Sequence, residues 1–591
     1  MTVQAVRFSA LACLILLVHA ALVVYTAYST SPVVDEPGHL VSGIHHWRSG
    51  TFRLYSVNPP LVRMVAALPM FAMEHRFPRI AEPDEGYTRP EYLAADHFAD
   101  LNGDRLYSLV LAARLACIPI SLLGAVVCFL WASRMYGPAS GYMALILWCV
   151  SPFTVGHGAL LTPDVGGAAT GVLACYAFWE WLIAPSWRLA ALSGLALGLA
   201  LLAKTTLMLL VPIFPVIWLA TLWRRGAPAG PWRPILPTFG QLAAMIAIAF
   251  VLLNAGYGFE GTGRKLGGYS FDSRALFGDE GTYATGGNRF RGSWLAEVPV
   301  PLPEYYIRGI DLQRFDFEKQ SGSYLLGQWR EEGWWHYYVV GLAVKEPLAL
   351  WALALLAVVL RWRFGLPKPT PGEFVLWLPA AAIFLLVSSQ TGMNHHVRYV
   401  MPVLPLLYIG VSQVAATAAR CARWCTVVVW ALVTWYVVSS LAVVPYSISY
   451  FNELAGGPDN GRLVLHNSST DWGQGLFALK EWHDDHPEAR PLHVKSWMRV
   501  STSGRLGMEW HEVPILPLGA YRYPVEDWLP EPGWYAINVG SLHDRGGLYD
   551  YFFLCKPHAQ VAHVWMIYHI TEHDRAQIRT HYSSAPASTA R

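Results

Sequence analysis

The chain has 591 residues, of which 54% are hydrophobic and only 14% are charged. Soluble globular domains carry about a quarter of their residues as Asp, Glu, Lys or Arg, so this composition excludes an ordinary soluble protein and predicts a membrane protein. The formal net charge of +2 provides no basic surface, and no nucleic-acid partner is expected. The 26 Trp and 29 Tyr residues suit the aromatic belts of membrane–water interfaces.

Apolar runs long enough to cross a bilayer recur as far as residue 445. A membrane-spanning helix needs about twenty apolar residues, and about eleven segments approach this length. In chain order they are 8–29, 108–133, 139–159, 165–184, 188–203, 206–223, 235–255, 341–361, 373–390, 398–417 and 424–445. The first resembles a signal peptide, but it is long for one and further spans follow, so we interpret it as a retained helix.

The distribution of basic residues predicts the orientation in the membrane. Arg and Lys occur in alternate connections between the predicted spans, and the positive-inside rule assigns those connections, with the N-terminus, to the cytoplasm. The basic residues concerned are Arg7, Arg134, Arg188, Arg224, Arg225, Arg233, Arg361, Arg363, Lys368, Arg420 and Arg423. The remaining connections then face outward, and they are 30–107, 160–164, the neighbourhood of Lys204, 256–340, 391–397 and 446–591. We therefore expect a multi-pass protein of the cell (inner) membrane.

Two domains follow from this orientation. Residues 1–445 form the predicted transmembrane domain, with large outer loops at 30–107 and 256–340, and residues 446–591 form a predicted extracytoplasmic domain. Alternating short runs in the C-terminal part predict strands, and one further run predicts a helix. The predicted strands are 492–497, 534–538 and 563–568, and the predicted helix is 476–483. The expected fold class is a polytopic α-helical membrane protein with a C-terminal α/β domain.

Two adjacent carboxylates, Asp35 and Glu36, follow the first predicted span directly. They are either part of a solvated loop or the site of a catalytic base at the membrane surface. Since adjacent side chains diverge, one is expected to point into a site and the other away from it. Asp164 lies at the next outward-facing turn, where the helix dipole also explains a carboxylate at the start of a helix. Both carboxylate positions lie on the same predicted face, within reach of one cavity.

Three cations interrupt or border apolar sequence on the same predicted face: Lys204, Lys345 and Arg398. An ionisable residue inside or at the edge of a span is a functional hypothesis by default, although a long side chain can also reach the interface and be solvated there. The positive-inside rule does not favour cations on the outer side. Cations that converge there suit a lipid-linked phosphate, whose negative charge must be held while its head group reacts.

Several other patterns do not support a site. The segment 256–261 fits G-x-G-x-x-G, but it follows a membrane helix rather than a strand, so the dinucleotide-binding interpretation fails. The histidine pairs 45–46 and 395–396 are adjacent, which is poor geometry for chelating one ion. His483 and His486 could bind a metal on a helix, but a solvated turn is the preferred interpretation. The eight cysteines show no zinc or disulfide spacing and are expected to be free thiols.

Taken together, these features resemble the GT-C glycosyltransferases that use lipid-phosphate sugars. The nearest relatives are family 39-like bacterial enzymes related to protein O-mannosyltransferases and to the lipid A aminoarabinose transferase. The matching motifs are Asp35-Glu36, Thr162-Pro-Asp164, Gly198-Leu-Ala-Leu-Leu-Ala-Lys204, Lys345-Glu-Pro347 and Arg398-Tyr-Val-Met-Pro-Val-Leu-Pro405. Segments 301–309, 322–327, 333–335, 451–458 and 471–474 are similar to the outer loop and C-terminal region of a bacterial subgroup. The motifs are short, and their order and sidedness make the resemblance specific.

The resemblance implies a hexosyl- or pentosyltransferase that acts on a polyprenyl-phosphate sugar and inverts the anomeric carbon. Asp35 would be the general base that takes the proton from the acceptor, which could be a protein, a lipid or a glycan. The donor arrives in the bilayer already activated, which explains why no nucleotide-sugar domain is present. The relatives work without a catalytic metal, so neither a metal nor another cofactor is expected.

The remaining candidate residues receive supporting roles from the same resemblance. Lys204, Lys345 and Arg398 would stabilise the phosphate as charge grows on it. Asp164 and Glu36 would position the acceptor or orient the cations. This chain departs from the family at Glu346, where a Thr is common beside the lysine, and an extra carboxylate there would weaken the attraction of Lys345 for phosphate.

An exposed aspartate is a weak base, since its pKa lies at about 4. Partial desolvation by residues 38–80, with the apolar stretch 64–73, would raise the basicity of Asp35. We expect this segment to form short helices that lie at the membrane interface.

Two other classes of protein fit parts of the pattern. Buried ionisable residues in a protein with many spans also mark the path of a transporter or flippase for a lipid-linked or anionic substrate. Transporters often show repeated halves, however, and here the polar sequence is concentrated on one face. A non-catalytic membrane scaffold with a partner-binding outer domain is the third interpretation, and it leaves the clustered motifs unexplained.

Overall fold

A computed structural model of the chain describes residues 9–80, 89–225, 235–279, 281–282, 285–363, 371–421, 423–496, 505–517 and 523–584. Three basic residues used in the orientation prediction, Arg7, Arg233 and Lys368, lie outside the described residues, as does the end of the predicted strand 492–497.

Helices dominate the described residues as far as residue 441. In chain order they are α1 (Ala10–Ser29), α2 (Glu36–Ser49), α3 (Leu61–Ala66), α4 (Pro90–Asn102), α5 (Arg105–Tyr136), α6 (Pro138–Val150), α7 (Pro152–Gly158), α8 (Pro163–Ile183), α9 (Trp187–Ala203), α10 (Leu210–Arg225), α11 (Ile235–Gly256), α12 (Arg274–Phe277), α13 (Glu304–Glu318), α14 (Tyr337–Lys345), α15 (Leu348–Arg363), α16 (Pro371–Ser389), α17 (Leu404–Ala418) and α18 (Arg423–Leu441). The short helices expected within residues 38–80 are present as α2, α3 and the 3-10 turn Leu68–Phe71.

The helices confirm a multi-pass membrane protein. Seven helices among the described residues are long and apolar enough to cross a membrane, and two bent pairs raise the number to as many as nine. The seven are Ala10–Ser29, Arg105–Tyr136, Thr205–Trp223, Pro237–Gly256, Gly372–Ser389, Val397–Ala418 and Arg423–Leu441. The predicted number of about eleven spans also included segments that form α8 and the shorter apolar helix α9. By length and composition these two do not meet the same criterion.

The membrane helices are interrupted at two prolines and at Lys204. Pro152 separates α6 from α7 with a bend of 53°, and Pro347 separates α14 from α15 with a bend of 104°. Proline lacks an N–H and restricts the residue before it, so a helix ends or bends there. Lys204 adopts an extended conformation between α9 and the 3-10 turn Thr205–Leu209. Interruptions of this kind place polar side chains inside an otherwise apolar bundle.

Small residues allow the membrane helices to pack closely. A Cβ added at Gly194 on α9 would lie 2.6 Å from the Met245 carbonyl oxygen on α11. A Cβ at Gly124 on α5 would overlap the indole of Trp148, which is fully buried on α6. Close backbone approach through small residues is the usual way in which membrane helices associate.

The C-terminal part contains the predicted α/β unit. A five-stranded sheet has the order β4-β3-β5-β7-β6, in which β3 is parallel to β4 and β5, while β7 is antiparallel to β5 and β6. The strands are β3 (Leu492–Lys495), β4 (Trp510–His511), β5 (Gly533–Asn538), β6 (Ala559–Val561) and β7 (Trp565–Ile570), and the helices are α19 (Leu476–Asp485), α20 (Val539–Leu542) and α21 (Glu572–Ser584). A separate hairpin in the central loop pairs β1 (Ser323–Leu325) with β2 (Gln328–Arg330). The predicted strands and helix are therefore confirmed to within two residues, apart from the end of the first strand, which is not described.

The chain between α18 and α19 packs against the membrane helices rather than only against the sheet. It consists of short 3-10 turns, including Ser447–Ser449 and Asn467–Ser469. Asn452 donates from its side-chain amide to the carbonyl oxygens of Ala343, at 2.6 Å, and Glu346, at 2.8 Å. This segment brings residues of the C-terminal part into the site described below.

Candidate active site

A cavity of about 340 Å³ contains four of the six predicted site residues. Its lining comes from segments 34–39, 55–58, 89–92, 162–164, 313–317, 393–399 and 467–472, together with Lys204. Every connection that the basic-residue pattern assigned to the outer face contributes to this lining. A larger cavity of about 660 Å³, between α1, α5 and α19, contains none of the six predicted residues.

Asp35 presents a partly accessible carboxylate to the cavity, with 18% of its side chain exposed. It occupies the N-cap position of α2, but its carboxylate accepts no capping hydrogen bond from that helix. Arg398 Nη2 lies 3.4 Å from Asp35 Oδ2, and the Tyr92 hydroxyl donates to Asp35 Oδ1 at 3.5 Å. Burial raises the pKa of Asp35, although the nearby Arg398 and Arg89 act in the opposite direction. A carboxylate with a raised pKa is a better base.

Asp164 and Lys204 form a close ion pair on the cavity wall. Lys204 Nζ donates to Asp164 Oδ1 at 2.8 Å, and Arg398 Nε lies 3.5 Å from Asp164 Oδ2. Gly167, one turn beyond Asp164 on α8, lies where the lysine stem crosses the helix, and a Cβ there would come within 2.8 Å of Lys204 Cδ. The result is a sequence of alternating charges in contact: Asp35, Arg398, Asp164 and Lys204.

Glu36 does not line the cavity. Its side chain is fully buried and accepts from Arg114 Nε at 2.8 Å and from Arg114 Nη2 at 2.6 Å. The backbone N–H groups of Val33 and Leu161 donate to the same carboxylate at 2.8 and 3.2 Å. The structure thus separates the two adjacent carboxylates, and Glu36 joins the loop after α1 to α5 and to the turn before α8.

Lys345 also lies outside the main cavity. Its ammonium donates to the carbonyl oxygens of Ile448, at 2.6 Å, and Ser469, at 2.7 Å, and lies 4.2 Å from the centre of the Phe451 ring. It borders a separate cavity of only about 10 Å³. The neighbouring Glu346 is directed elsewhere, since its carboxylate accepts from the Tyr408 hydroxyl at 2.7 Å.

Three residues that line the cavity were not predicted from the sequence: Arg89, Tyr92 and Asp316. Arg89 Nη1 donates to Asp316 Oδ2 at 2.9 Å, so this ion pair joins the start of α4 to α13 of the central loop. Arg89 Nη2 also donates to the Tyr92 hydroxyl at 3.2 Å. No local signal distinguishes Arg89, because six other arginines lie in the same predicted outer loop: Arg48, Arg53, Arg63, Arg76, Arg79 and Arg105.

The described ranges contain no group of three His, Cys, Asp or Glu side chains arranged to hold a metal ion. The cavity carboxylates Asp35 and Asp164 face arginine and lysine side chains instead. All eight cysteines are free thiols, as predicted. A reaction without a metal stays a prediction.

Comparison with known families gives a match to part of the chain. Residues 97–253 match the family model described as dolichyl-phosphate-mannose-protein mannosyltransferase. This match agrees with the resemblance derived from the motifs and with the confirmed membrane helices. Over residues 97–253, the chain is therefore similar to a family of membrane glycosyltransferases.

The chain is also similar to solved structures, with TM-scores below 0.5. ArnT from Cupriavidus metallidurans bound to undecaprenyl phosphate is 13% identical, with 94% of this chain and 97% of that chain covered and a TM-score of 0.43. The Saccharomyces cerevisiae Pmt1–Pmt2 protein O-mannosyltransferase complex bound to the sugar donor is 17% identical, covering 43% and 34%, with a TM-score of 0.34. The oligosaccharyltransferase AglB from Archaeoglobus fulgidus, with an inhibitory peptide and a dolichol-phosphate, is 11% identical, covering 91% and 72%, with a TM-score of 0.42. No curated protein sequence matches the chain significantly. Similarity at this level transfers no residue role to this chain.

Proposed function

We propose that this enzyme transfers a sugar from a polyprenyl-phosphate donor to an acceptor on the extracytoplasmic face of the cell (inner) membrane, with inversion at the anomeric carbon. The observation that carries the proposal is a row of ion-pair contacts in the cavity, in which each residue contacts the next: Asp35, Arg398, Asp164 and Lys204. A partly accessible carboxylate next to two cations suits a displacement in which a base and an anionic leaving group react close together.

In the proposed step, a hydroxyl or amine of the acceptor attacks the anomeric carbon of the donor. A bond forms between the acceptor atom and that carbon, while the bond from the carbon to the phosphate oxygen breaks and leaves its electron pair on the phosphate. The acceptor proton passes to Asp35. Attack on the face opposite the leaving phosphate inverts the anomeric carbon. The products are a glycosylated acceptor and a polyprenyl phosphate.

Asp35 suits the role of base because its carboxylate is partly desolvated but still reaches the cavity. Burial raises its pKa, which increases its affinity for the acceptor proton. The contact with Arg398, at 3.4 Å, is long for a charge-assisted hydrogen bond and leaves the carboxylate able to face an acceptor.

Arg398 and Lys204 suit the stabilisation of the leaving phosphate. Both cations line the cavity and are paired there with carboxylates rather than with solvent. Charge-assisted hydrogen bonds to phosphate strengthen as negative charge develops on the leaving oxygen. Interactions that are stronger in the transition state than in the ground state accelerate the reaction. Asp164 would hold the two cations in place between substrates.

The lining of the cavity supports the proposed side of the membrane. All six connections that the positive-inside rule assigned outward meet in one cavity, which is expected if they share a face. The donor lipid would reach this cavity from the bilayer around the helices. The acceptor is proposed to be a protein, a lipid or a glycan of the cell envelope.

The test uses purified full-length protein and a radiolabelled polyprenyl-phosphate hexose. The wild-type protein is expected to cleave the donor and release polyprenyl phosphate, while Asp35→Asn lowers the rate by about 10²- to 10⁴-fold, the usual contribution of a general base. Asp279→Asn, which changes an exposed carboxylate of the central loop, serves as the control and is expected to keep wild-type activity.

Two results would contradict the proposal. Donor cleavage that continues unchanged in Asp35→Asn would remove Asp35 as the base. Movement of the intact lipid-linked sugar to the opposite leaflet of a proteoliposome, without cleavage, would instead indicate a transporter.

A further inference from the structure

We infer that Trp472 and Lys345 are positioning residues for the reaction, which act through the turn formed by residues 467–474 to hold the Arg398 guanidinium between Asp35 and Asp164. This inference rests on the proposed function, because it concerns the same cavity. The turn belongs to the C-terminal part of the chain, so this part would complete the active site.

The turn at 467–474 fixes the guanidinium of Arg398 from two directions. The Trp472 ring covers its face, with 3.7 Å between Arg398 Cζ and the ring centre. Ser468, at the other end of the turn, accepts a hydrogen bond from Arg398 Nη1 through its hydroxyl. A planar guanidinium that is stacked and hydrogen-bonded in this way has one preferred orientation.

This orientation assigns each nitrogen of Arg398 to a different partner. With Nη1 directed to Ser468, Nη2 lies 3.4 Å from Asp35 Oδ2 and Nε lies 3.5 Å from Asp164 Oδ2. Only 9% of the arginine side chain is exposed, so no solvent shell competes for these positions. A rotation of the guanidinium would break both carboxylate contacts at once.

The same turn also fixes the segment that carries the proposed base. The Val34 N–H donates to the Trp472 carbonyl oxygen at 3.1 Å, and the Ser31 N–H donates to the Gln474 carbonyl oxygen at 3.2 Å. The Ser31 hydroxyl donates to the Gly473 carbonyl oxygen at 2.7 Å. Trp472 therefore contacts Arg398 with its ring and the residue before Asp35 with its backbone, which sets the separation of base and cation.

Lys345 anchors this turn to the membrane helices. Its ammonium donates to the Ser469 carbonyl oxygen inside the turn and to the Ile448 carbonyl oxygen, and it is buried, with 4% of the residue exposed. A buried ammonium needs such hydrogen bonds to offset its lost hydration, so the two carbonyl groups are held firmly to the end of α14. Lys345 would thus affect the phosphate through Ser469, Ser468 and Arg398 rather than by contact.

The test compares Trp472→Leu with the wild type in the donor-cleavage assay across pH. Loss of the ring releases Arg398, so the donor KM is expected to rise by about 2- to 30-fold, the range of a desolvated cation–π contact. The acid limb of kcat/KM is expected to move to higher pH, because the positive charge of Arg398 holds the Asp35 pKa down. Trp472→Phe keeps an aromatic face and is expected to restore most of both values.

A double-mutant cycle with Arg398→Gln decides whether Trp472 acts through the arginine. In the Arg398→Gln background, Trp472→Leu is expected to cause no further rise in the donor KM and no further shift of the acid limb of kcat/KM. Ser468→Ala and Lys345→Met are expected to change KM and the limb in the same direction as Trp472→Leu, and Lys345→Arg to change them less. Trp294→Leu and Lys556→Met, at exposed positions, are the matched controls.

Two results would overturn the inference. One is an equal loss from Trp472→Leu with and without Arg398, which would make the two residues independent. The other is a uniform fall in kcat at every pH with an unchanged donor KM, which would indicate a structural role only. A wild-type protein that cleaves no donor would remove the proposed function itself, and this inference with it.

Discussion

Asp35 and Glu36 are neighbours in the chain but belong to two very different charged regions. Glu36 forms a closed pair with Arg114, with hydrogen bonds of 2.6 and 2.8 Å and side chains that are 0% and 1% exposed. Asp35 contacts Arg398 at 3.4 Å and keeps 18% of its side chain exposed to a cavity. Both carboxylates form ion pairs, so the presence of a pair does not distinguish them. The distances within the pair and the exposed fraction of the side chain do: a short, buried pair indicates a structural carboxylate, and a long, partly exposed one leaves the carboxylate available for chemistry.

The Glu36–Arg114 pair is saturated with hydrogen bonds. The carboxylate accepts from the guanidinium and from two backbone N–H groups, while Arg114 Nη1 and Nη2 donate to backbone carbonyl oxygens at the end of α1. A buried pair of this kind adds little net stability, but removing one partner leaves an uncompensated charge. In the cavity, by contrast, Arg398 is shared between two carboxylates at longer distances, which suits its proposed contact with a phosphate.

The largest expected effect is on the rate of the Asp35→Asn variant. Turnover is expected to fall by about 10²- to 10⁴-fold because the variant removes the proposed general base. The melting temperature of the purified protein is expected to stay at the wild-type value, since the hydrogen bonds from described residues to this carboxylate are long, at 3.4 and 3.5 Å. Parallel measurements of donor cleavage and thermal unfolding check both parts. A marked fall in melting temperature would mean that Asp35 is structural as well.

The opposite result is expected for Glu36→Gln. Removing the charge leaves Arg114 buried without its counter-ion, which costs about 3–5 kcal/mol of folding free energy. Thermal unfolding in detergent is the measurement, with Asp279→Asn as the control for the loss of an exposed carboxylate.

The double variant Glu36→Met/Arg114→Met sharpens this prediction. Replacing both members of a buried pair with apolar side chains is often neutral or stabilising. The double variant is therefore expected to unfold at a higher temperature than Glu36→Gln. A double variant less stable than Glu36→Gln would show that the pair contributes more than mutual neutralisation.

The pH dependence of the wild-type enzyme tests whether Asp35, the carboxylate in the cavity, has a raised pKa. As the proposed base, Asp35 must be deprotonated, and burial raises its pKa above the ordinary aspartate value of about 4. The rate constant kcat/KM is therefore expected to rise with pH through a limb that lies above pH 4 and then to level off. Steady-state kinetics across pH measure this limb. A profile that is flat from pH 4 upward would exclude a base with a raised pKa.

The sequence predicted the helices and part of the site because both signals are local. Apolar runs define membrane helices, and a charge within apolar sequence is informative at once, which led to Asp164, Lys204 and Arg398. Each of these residues lies at the edge of a predicted span and reaches the cavity. Asp35 followed from its position directly after the first span.

The division between Asp35 and Glu36 could not be predicted from the residues themselves, because it depends on a distant partner. Arg114 lies 78 residues further along the chain, inside a predicted span, and such an arginine is itself a sign of a buried counter-ion. Arg89 and Asp316 are 227 residues apart, and nothing in either local sequence connects them. Ion pairs between outer loops depend on how the loops fold over the cavity. The hydrophobic periodicity of the sequence predicts helices and strands, but it does not predict these contacts.

The smallest expected effect concerns Tyr92, whose hydroxyl donates to Asp35 Oδ1 across 3.5 Å. Tyr92→Phe removes this donor from the ionised carboxylate, so the Asp35 pKa should rise further. A hydrogen bond this long contributes at the low end of about 0.5–1.5 kcal/mol, and the acid limb is therefore expected to move up by less than about one pH unit. Donor cleavage across pH measures the shift, with Tyr523→Phe, an exposed tyrosine, as the control. A limb that moves to lower pH would mean that the hydroxyl stabilises protonated Asp35, and that the carboxylate in the cavity is less available as a base than its long contact with Arg398 indicates.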